Sequence, residues 1–349
     1  MSRSVKKMME EFFTLLTKHS TINLQDYKSI RLFVTEGEFT AINSGITHLV
    51  SVNFGYGHIA SLYFYQNNTY MILPACYDGN ERDGLQASDI PNELWLYHIV
   101  RNKIFPLEKA NDNELLMNVF TEVDVTDVFF ESVINYFPGM TGYIVDDIVP
   151  DDVTKKESYI RRLCLELLCK TSSLLFLPFG NDTINAYLDI ANTDNVNIPI
   201  DNVLRSIISY RWKFCFIDLY RCHERLFMLA WVDEFKSSMK SSLGLQELYK
   251  NMKGVYSTEH HEDKNIVSLY NLLPDNILNV LKDEEKENAG KIAKYIYTLR
   301  NTIVHYQRTE ATIEQIPATQ WNKIIRFLLM AIPYLYDHLA KHIEELPDV

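Results

Sequence analysis

Two hydrophobic periods divide the chain. Residues 5–18 place Val5, Met8, Phe12, Leu15 and Leu16 on one side of an amphipathic helix. Residues 29–35, 47–54, 59–65 and 69–73 are instead short runs rich in β-branched and aromatic side chains, and they predict strands. Gln66-Asn67-Asn68 predicts the tight loop of a hairpin between the last two. Residues 77–88 carry Asp78-Gly79-Asn80 and Asp83-Gly84 and predict a loop. Helical spacing returns at 92–104, 112–120 and 126–137. The last has Thr126 as N-cap and Phe129, Phe130, Val133, Ile134 and Phe137 facing inward.

Residues 138–152 hold Gly139, Gly142, Pro150 and four aspartates, and a domain boundary is placed there. The expected organisation is an α+β domain over 1–150, a small sheet with helices, and an all-α helical bundle over 151–349. In the second part, residues 155–177 predict a long helix stopped by Pro178 and Gly180. Residues 202–235 form the longest helical pattern, with Leu204, Ile207, Ile208, Phe214, Cys215, Ile217 and Leu219 as core. Residues 247–276 are less regular, and 282–288 are a charged, solvated run. Residues 321–343 predict an apolar helix kinked at Pro333, packing against the helix that begins near Lys291.

That helix carries the chemistry. Ile292, Ile296, Leu299 and Ile303 recur at steps of four, three and four, which puts them within about 60° of one another on one face. Asn301 and His305 lie nearly opposite, with Lys294 and Thr298 on their side, and Arg300 sits beside the apolar stripe. A histidine exchanges a proton near neutral pH. A guanidinium grips a phosphate through paired hydrogen bonds. An amide can orient the imidazole or hold a ribose hydroxyl. RNA brings its own nucleophile, the 2′-OH. Such a set could cut RNA without a metal and leave a 2′,3′-cyclic phosphate. No other arginine in the chain has a histidine after four to six intervening residues.

Arg300-Asn301-Thr302-Ile303-Val304-His305 resembles the R-x4–6-H motif of the HEPN superfamily, in which a polar residue, often Asn, follows the arginine on a late helix of an all-α bundle. The resemblance covers at most the C-terminal two-fifths of the chain. It implies a metal-independent endoribonuclease, with Arg300 and His305 catalytic and Asn301 supporting them. It also implies a homodimer whose site is built from two facing motifs, and a role as an anti-phage, abortive-infection effector or toxin. No motif in the first domain names a ligand, and it could sense a phage-derived or protein trigger, bind a partner or hold the nuclease in check. Some members of the superfamily are not nucleases, and the alternative is a non-catalytic module for dimerisation or for binding a nucleotide or protein.

Charge and composition narrow the remaining options. Net charge is −12, against general nucleic-acid binding, so RNA would need a local positive cleft. Lys294, Arg221 and Arg225 are the candidate phosphate contacts. Arg221-Cys222-His223-Glu224-Arg225 reads more simply as an intrahelical ion-pair face, with Glu224 bonded to a basic neighbour. The five cysteines include no C-x-x-C, and Glu259-His260-His261-Glu262-Asp263 lacks an H-E-x-x-H spacing, so neither zinc nor another cofactor is expected. Gly55-Tyr56-Gly57-His58 lacks a third glycine and a following helix, so no phosphate loop is expected. No apolar run reaches membrane-spanning length, and residues 1–16 do not read as a signal peptide, which points to the cytoplasm.

Overall fold

The computed structural model describes residues 3–18, 20–22, 31–33, 45–53, 59–74, 85–106, 115, 119, 127–145, 153–170, 175–238, 244, 247–248, 262–305 and 313–345. The chain divides into two compact units, Met1–Ile160 and Arg161–Val349. The first is α+β and the second is helical.

In the first unit, α1 (Arg3–Leu16) precedes a short β1 (Arg31–Phe33). Then come β2 (Thr47–Asn53), β3 (Ile59–Tyr65), β4 (Asn68–Pro74) and β5 (Leu85–Ser88). After α2 (Asn92–Asn102) the chain adds β6 (Asp127–Phe129), α3 (Phe130–Ile134) and β7 (Met140–Val145). A five-stranded antiparallel sheet has the order β2-β3-β4-β7-β5, and β1 pairs β6 in parallel. The β3–β4 turn puts Gln66 and Asn67 at φ 47° and 64°. Two successive positive φ angles match the right-handed twist of the strands they join.

Alternation along β3 sends Ser61, Tyr63 and Tyr65 to one face of the sheet, where Tyr63 and Tyr65 pack with Leu94 of α2. The Tyr63 hydroxyl lies 2.9 Å from His98 Nδ1, and the Asn102 amide donates to His98 Nδ1 at 3.1 Å and to Ser61 Oγ at 3.3 Å. A second core joins Phe12 and Phe13 of α1 to Trp95 and Ile99 of α2 and to Phe130, Val133 and Phe137.

Several expectations change here. Residues 85–88 are a strand, not loop. The pattern over 126–137 is a short strand and a short helix, not one helix. The stretch 138–152, where the domain boundary is expected, holds β7, which pairs with both β4 and β5. Its Gly142 is there because the strands approach closely. A Cβ would stand 2.6 Å from Ile90 Cγ1 and 2.8 Å from the Ser88 carbonyl oxygen. The turn at 55–58, the helix over 112–120 (apart from positions 115 and 119), Thr126 and Cys76 lie outside the described residues.

The second unit begins within α4 (Val153–Lys170), after Ile160. It contains α5 (Asn181–Ala191), α6 (Ile200–Ile207), α7 (Trp212–Glu224) and α8 (Phe227–Ser238). Next come α9 (Glu262–Asn271), α10 (Asp275–Leu278), α11 (Ala289–Val304), α12 (Ala318–His338) and α13 (Ala340–Glu345). The long pattern over 202–235 is thus three helices. Ser206 and Ser209 turn their hydroxyls back to the Val203 and Arg205 carbonyls, and the chain turns extended at Arg211 before α7 begins. Phe214, expected in the core, is exposed.

Helix α12 supplies the centre of this unit. Trp321, Ile324, Ile325, Leu328, Ile332 and Leu335 are all buried. It packs mainly on α5 and α7, while the Arg300 helix, α11, packs mainly on α9. Trp321 stacks 6.3 Å from Trp212 at the start of α7. Asn322 accepts from the Gly180 N–H at 2.7 Å and from Thr183 Oγ1 at 2.9 Å. It thereby serves the first turn of α5, whose own N-cap residue is a glycine without a side chain to do so. No described helix is long and apolar enough to cross a membrane.

Candidate active site

Helix α11 starts where Asn288, in extended backbone, accepts from the Lys291 N–H at 3.0 Å. Its buried face is Ile292, Ala293, Ile296 and Leu299, and Ile303 is half-buried as the stripe runs out. The helix ends at His305, whose N–H still bonds the Asn301 carbonyl at 3.0 Å. His305 is exposed.

Arg300 leaves the edge of that apolar stripe and turns toward α7. Its guanidinium donates to Glu224 Oε1 at 3.3 Å and to Asn301 Oδ1 at 2.9 Å, and it lies 5.9 Å from the centre of the Tyr220 ring. The Arg300 side chain is only 18% exposed, against 39% for Glu224. A carboxylate, an amide oxygen and a ring face therefore fix one guanidinium at the junction of two helices. The Asn301 side chain is accordingly occupied with Arg300 rather than with His305, and Glu224 bonds across to α11 rather than to a neighbour on its own helix. Its helix-mate Arg221 pairs instead with Asp218, at 3.3 Å.

Beside this junction, α9 and α11 enclose a cleft of about 490 Å³. Lys294, Tyr297, Thr298, Asn301 and Thr302 line it from α11, and Asp263 and Val267 from α9. Spacing of three and four along α11 puts those five side chains on one face. Asn301 thus touches both the cleft and the fixed guanidinium. His305 is not among the lining residues, and five helical positions turn it about 140° from Arg300 around the axis. Arg221 and Arg225 are exposed on α7.

Periodicity gave no hint of Glu224, Tyr220 or Tyr297. Tyr220 and Glu224 lie one helical turn apart on α7, but their meeting with Arg300 bridges 76 positions between Glu224 and Arg300. His223, between them in sequence, belongs to the core. It is fully buried, Nε2 lies 3.1 Å from the Leu328 carbonyl oxygen, and burial lowers its pKa to about 4. Among the described residues no group of three or more His, Cys, Asp or Glu is placed to hold a metal ion. His260 and His261 lie outside the described residues. Comparisons with protein-family models, with curated proteins and with solved structures find no match.

Proposed function

We propose that this protein is a metal-independent endoribonuclease of the HEPN type, acting as a homodimer. The observation that carries the reading is the Arg300 guanidinium, held by Glu224, Tyr220 and by Asn301, which also lines the α9–α11 cleft, with an exposed histidine at the end of the same helix. The 2′-OH of the bound RNA attacks its own phosphorus, the bond to the 5′-oxygen breaks, and a 2′,3′-cyclic phosphate and a 5′-OH end result. His305 is the general acid or base that moves the proton, and Arg300 stabilises charge on the phosphoryl oxygens. Asn301 positions Arg300. Lys294 adds a cation to the cleft, and Arg221 and Arg225 add two more on α7.

A second copy of the chain supplies what one copy lacks, because Arg300 and His305 point apart on a single helix. Val304, beside His305, leaves an apolar side chain 48% exposed for that copy to cover. The proposed setting is the cytoplasm, in anti-phage defence or as a toxin, with the first unit receiving a phage-derived or protein trigger.

A second reading rests on the same ion pair. Arg300 is already engaged by Glu224, as in a structural bridge, and the α9–α11 cleft would then serve a non-catalytic module that binds a nucleotide or a protein. Incubating the purified protein with total RNA, with and without chelator, separates the readings. Chelator-resistant fragments with 2′,3′-cyclic phosphate ends, absent for Arg300→Ala and for His305→Ala, are expected. Fragments that persist in both variants reject the assignment.

A further inference from the structure

The chain enters helix α7 through an alternation of rings and cations, Tyr210-Arg211-Trp212-Lys213-Phe214, in which Tyr210, Arg211 and Phe214 are exposed and Trp212 turns inward onto Trp321. Tyr210 and Phe214 are 49% and 38% exposed, and their ring centres are 5.5 Å apart. The Arg211 guanidinium lies 5.7 Å from the Tyr210 ring and the Lys213 ammonium 5.6 Å from the Phe214 ring. Core packing does not explain two large rings left partly exposed, because Cys215, Phe216, Leu219 and Tyr220 already supply the buried side of α7.

The outer side continues along the helix. At about 100° per residue, Phe214, Arg221 and Arg225 fall within roughly 40° of one another, and Lys213 and Glu224 lie along one edge of the same strip. Between Tyr210 and Arg225 there are four arginines and lysines against two carboxylates, in a chain whose net charge is −12. Arg221 neutralises one of those carboxylates, Asp218, and Arg300 meets the other, Glu224. The strip thus combines flat apolar faces with local positive charge, and it ends at the guanidinium assigned to the scissile phosphate.

We propose that the exposed strip that starts at Tyr210, just before α7, and runs along the outer side of α7 through Phe214 and Arg221 to Arg225 at its C-cap is a track for single-stranded RNA that delivers the strand to Arg300. This rests on the ribonuclease reading. Bases stack on Tyr210 and Phe214, whichever bases they are, because every base has a flat face. Arg211, Lys213, Arg221 and Arg225 meet the phosphates, each releasing a counterion. A duplex keeps its bases stacked within itself and gains only the charge contacts.

A fluorescent 15-nucleotide 2′-O-methyl RNA tests the track in the full chain, since blocking the 2′-OH separates binding from cutting. Wild type binds it more tightly than the matching duplex. Tyr210→Ala with Phe214→Ala weakens single-strand binding by about tenfold or more. Arg211→Ala with Lys213→Ala makes the salt dependence shallower by about 0.7 per cation lost in the slope of log affinity against log salt. Circular dichroism and the unfolding midpoint report whether each variant keeps its fold, and the single variants Phe214→Ser and Lys213→Gln give the same comparison with less disturbance. Equal binding of single strand and duplex, or unchanged affinity and salt slope in the variants, overturns the track. Unmodified RNA separates this from the underlying reading. Tight binding along α7 without any cleavage by wild type rejects the ribonuclease alone. Cleavage that needs Arg300 and His305 but keeps its KM in the α7 variants rejects the track alone.

Discussion

Arg300 and Glu224 meet at 3.3 Å across two helices, and the guanidinium is the more buried partner. The carboxylate holds the cation in place and also competes with any phosphate for it. Glu224→Gln keeps the shape and removes the competing charge. We expect tighter binding of RNA and a lower KM, at a stability cost of no more than about 1 kcal/mol, because half-exposed ion pairs contribute little. Filter binding and a denaturant melt measure the two effects. Weaker RNA binding in this variant would mean that Glu224 is itself needed to present the guanidinium.

Two buried histidines make stability fall in mild acid. Burial lowers His98 to about 3 and His223 to about 4. Both lie below the ordinary value near 6.5, so the unfolded chain takes up protons that the folded chain refuses. The stabilisation is complete above pH 6.5 and is lost as pH falls toward the folded-state values. Each histidine contributes a slope approaching 1.4 kcal/mol per pH unit, or roughly 2 kcal/mol between pH 6.5 and 5. Urea unfolding at these two pH values, for wild type and for His223→Phe, checks the sign. The variant should have the flatter profile, whatever its absolute stability.

Gly142 carries a sharper packing test. Alanine there would bring a methyl against the Ser88 carbonyl, a backbone atom of the paired strand β5, as well as against Ile90. We expect Gly142→Ala to cost about 1–3 kcal/mol, as overpacking of close-packed sites does. Gly290→Ala is the control, since a Cβ there meets nothing nearer than 3.5 Å. A thermal melt of both variants decides the matter, and equal midpoints would contradict the clash.

The sequence pattern located elements whose own side chains decide them. Strand β3 spans Ile59–Tyr65, the same limits as its β-branched and aromatic run, and the turn after it falls on Gln66 and Asn67. The buried positions Ile292, Ile296 and Leu299 of α11 are likewise those of its apolar stripe. Elements defined by a distant partner were not legible. Strand β7 hides in a run of glycine and aspartate that reads as a domain boundary, because Gly142 serves a close approach by residues 88–90. The breaks around 208–211 and 225–226 interrupt no apolar period, so α6, α7 and α8 looked continuous. Helix α5 draws its cap from Asn322, far along the chain, so its start carries no capping side chain of its own. At the candidate site, Arg300, Asn301 and His305 are singled out by residue type and spacing. Glu224 and Tyr220, which fix the arginine, are not, since only folding brings α7 beside α11.

Cleavage of one labelled RNA by wild type, Arg300→Ala and His305→Ala, in chelator and with the oligomeric state of each measured alongside, tests the central claim most directly. The account predicts 2′,3′-cyclic phosphate ends from the wild-type dimer and none from either variant, with dimer and fold intact in all three. Cleavage at wild-type rate by both variants would contradict it.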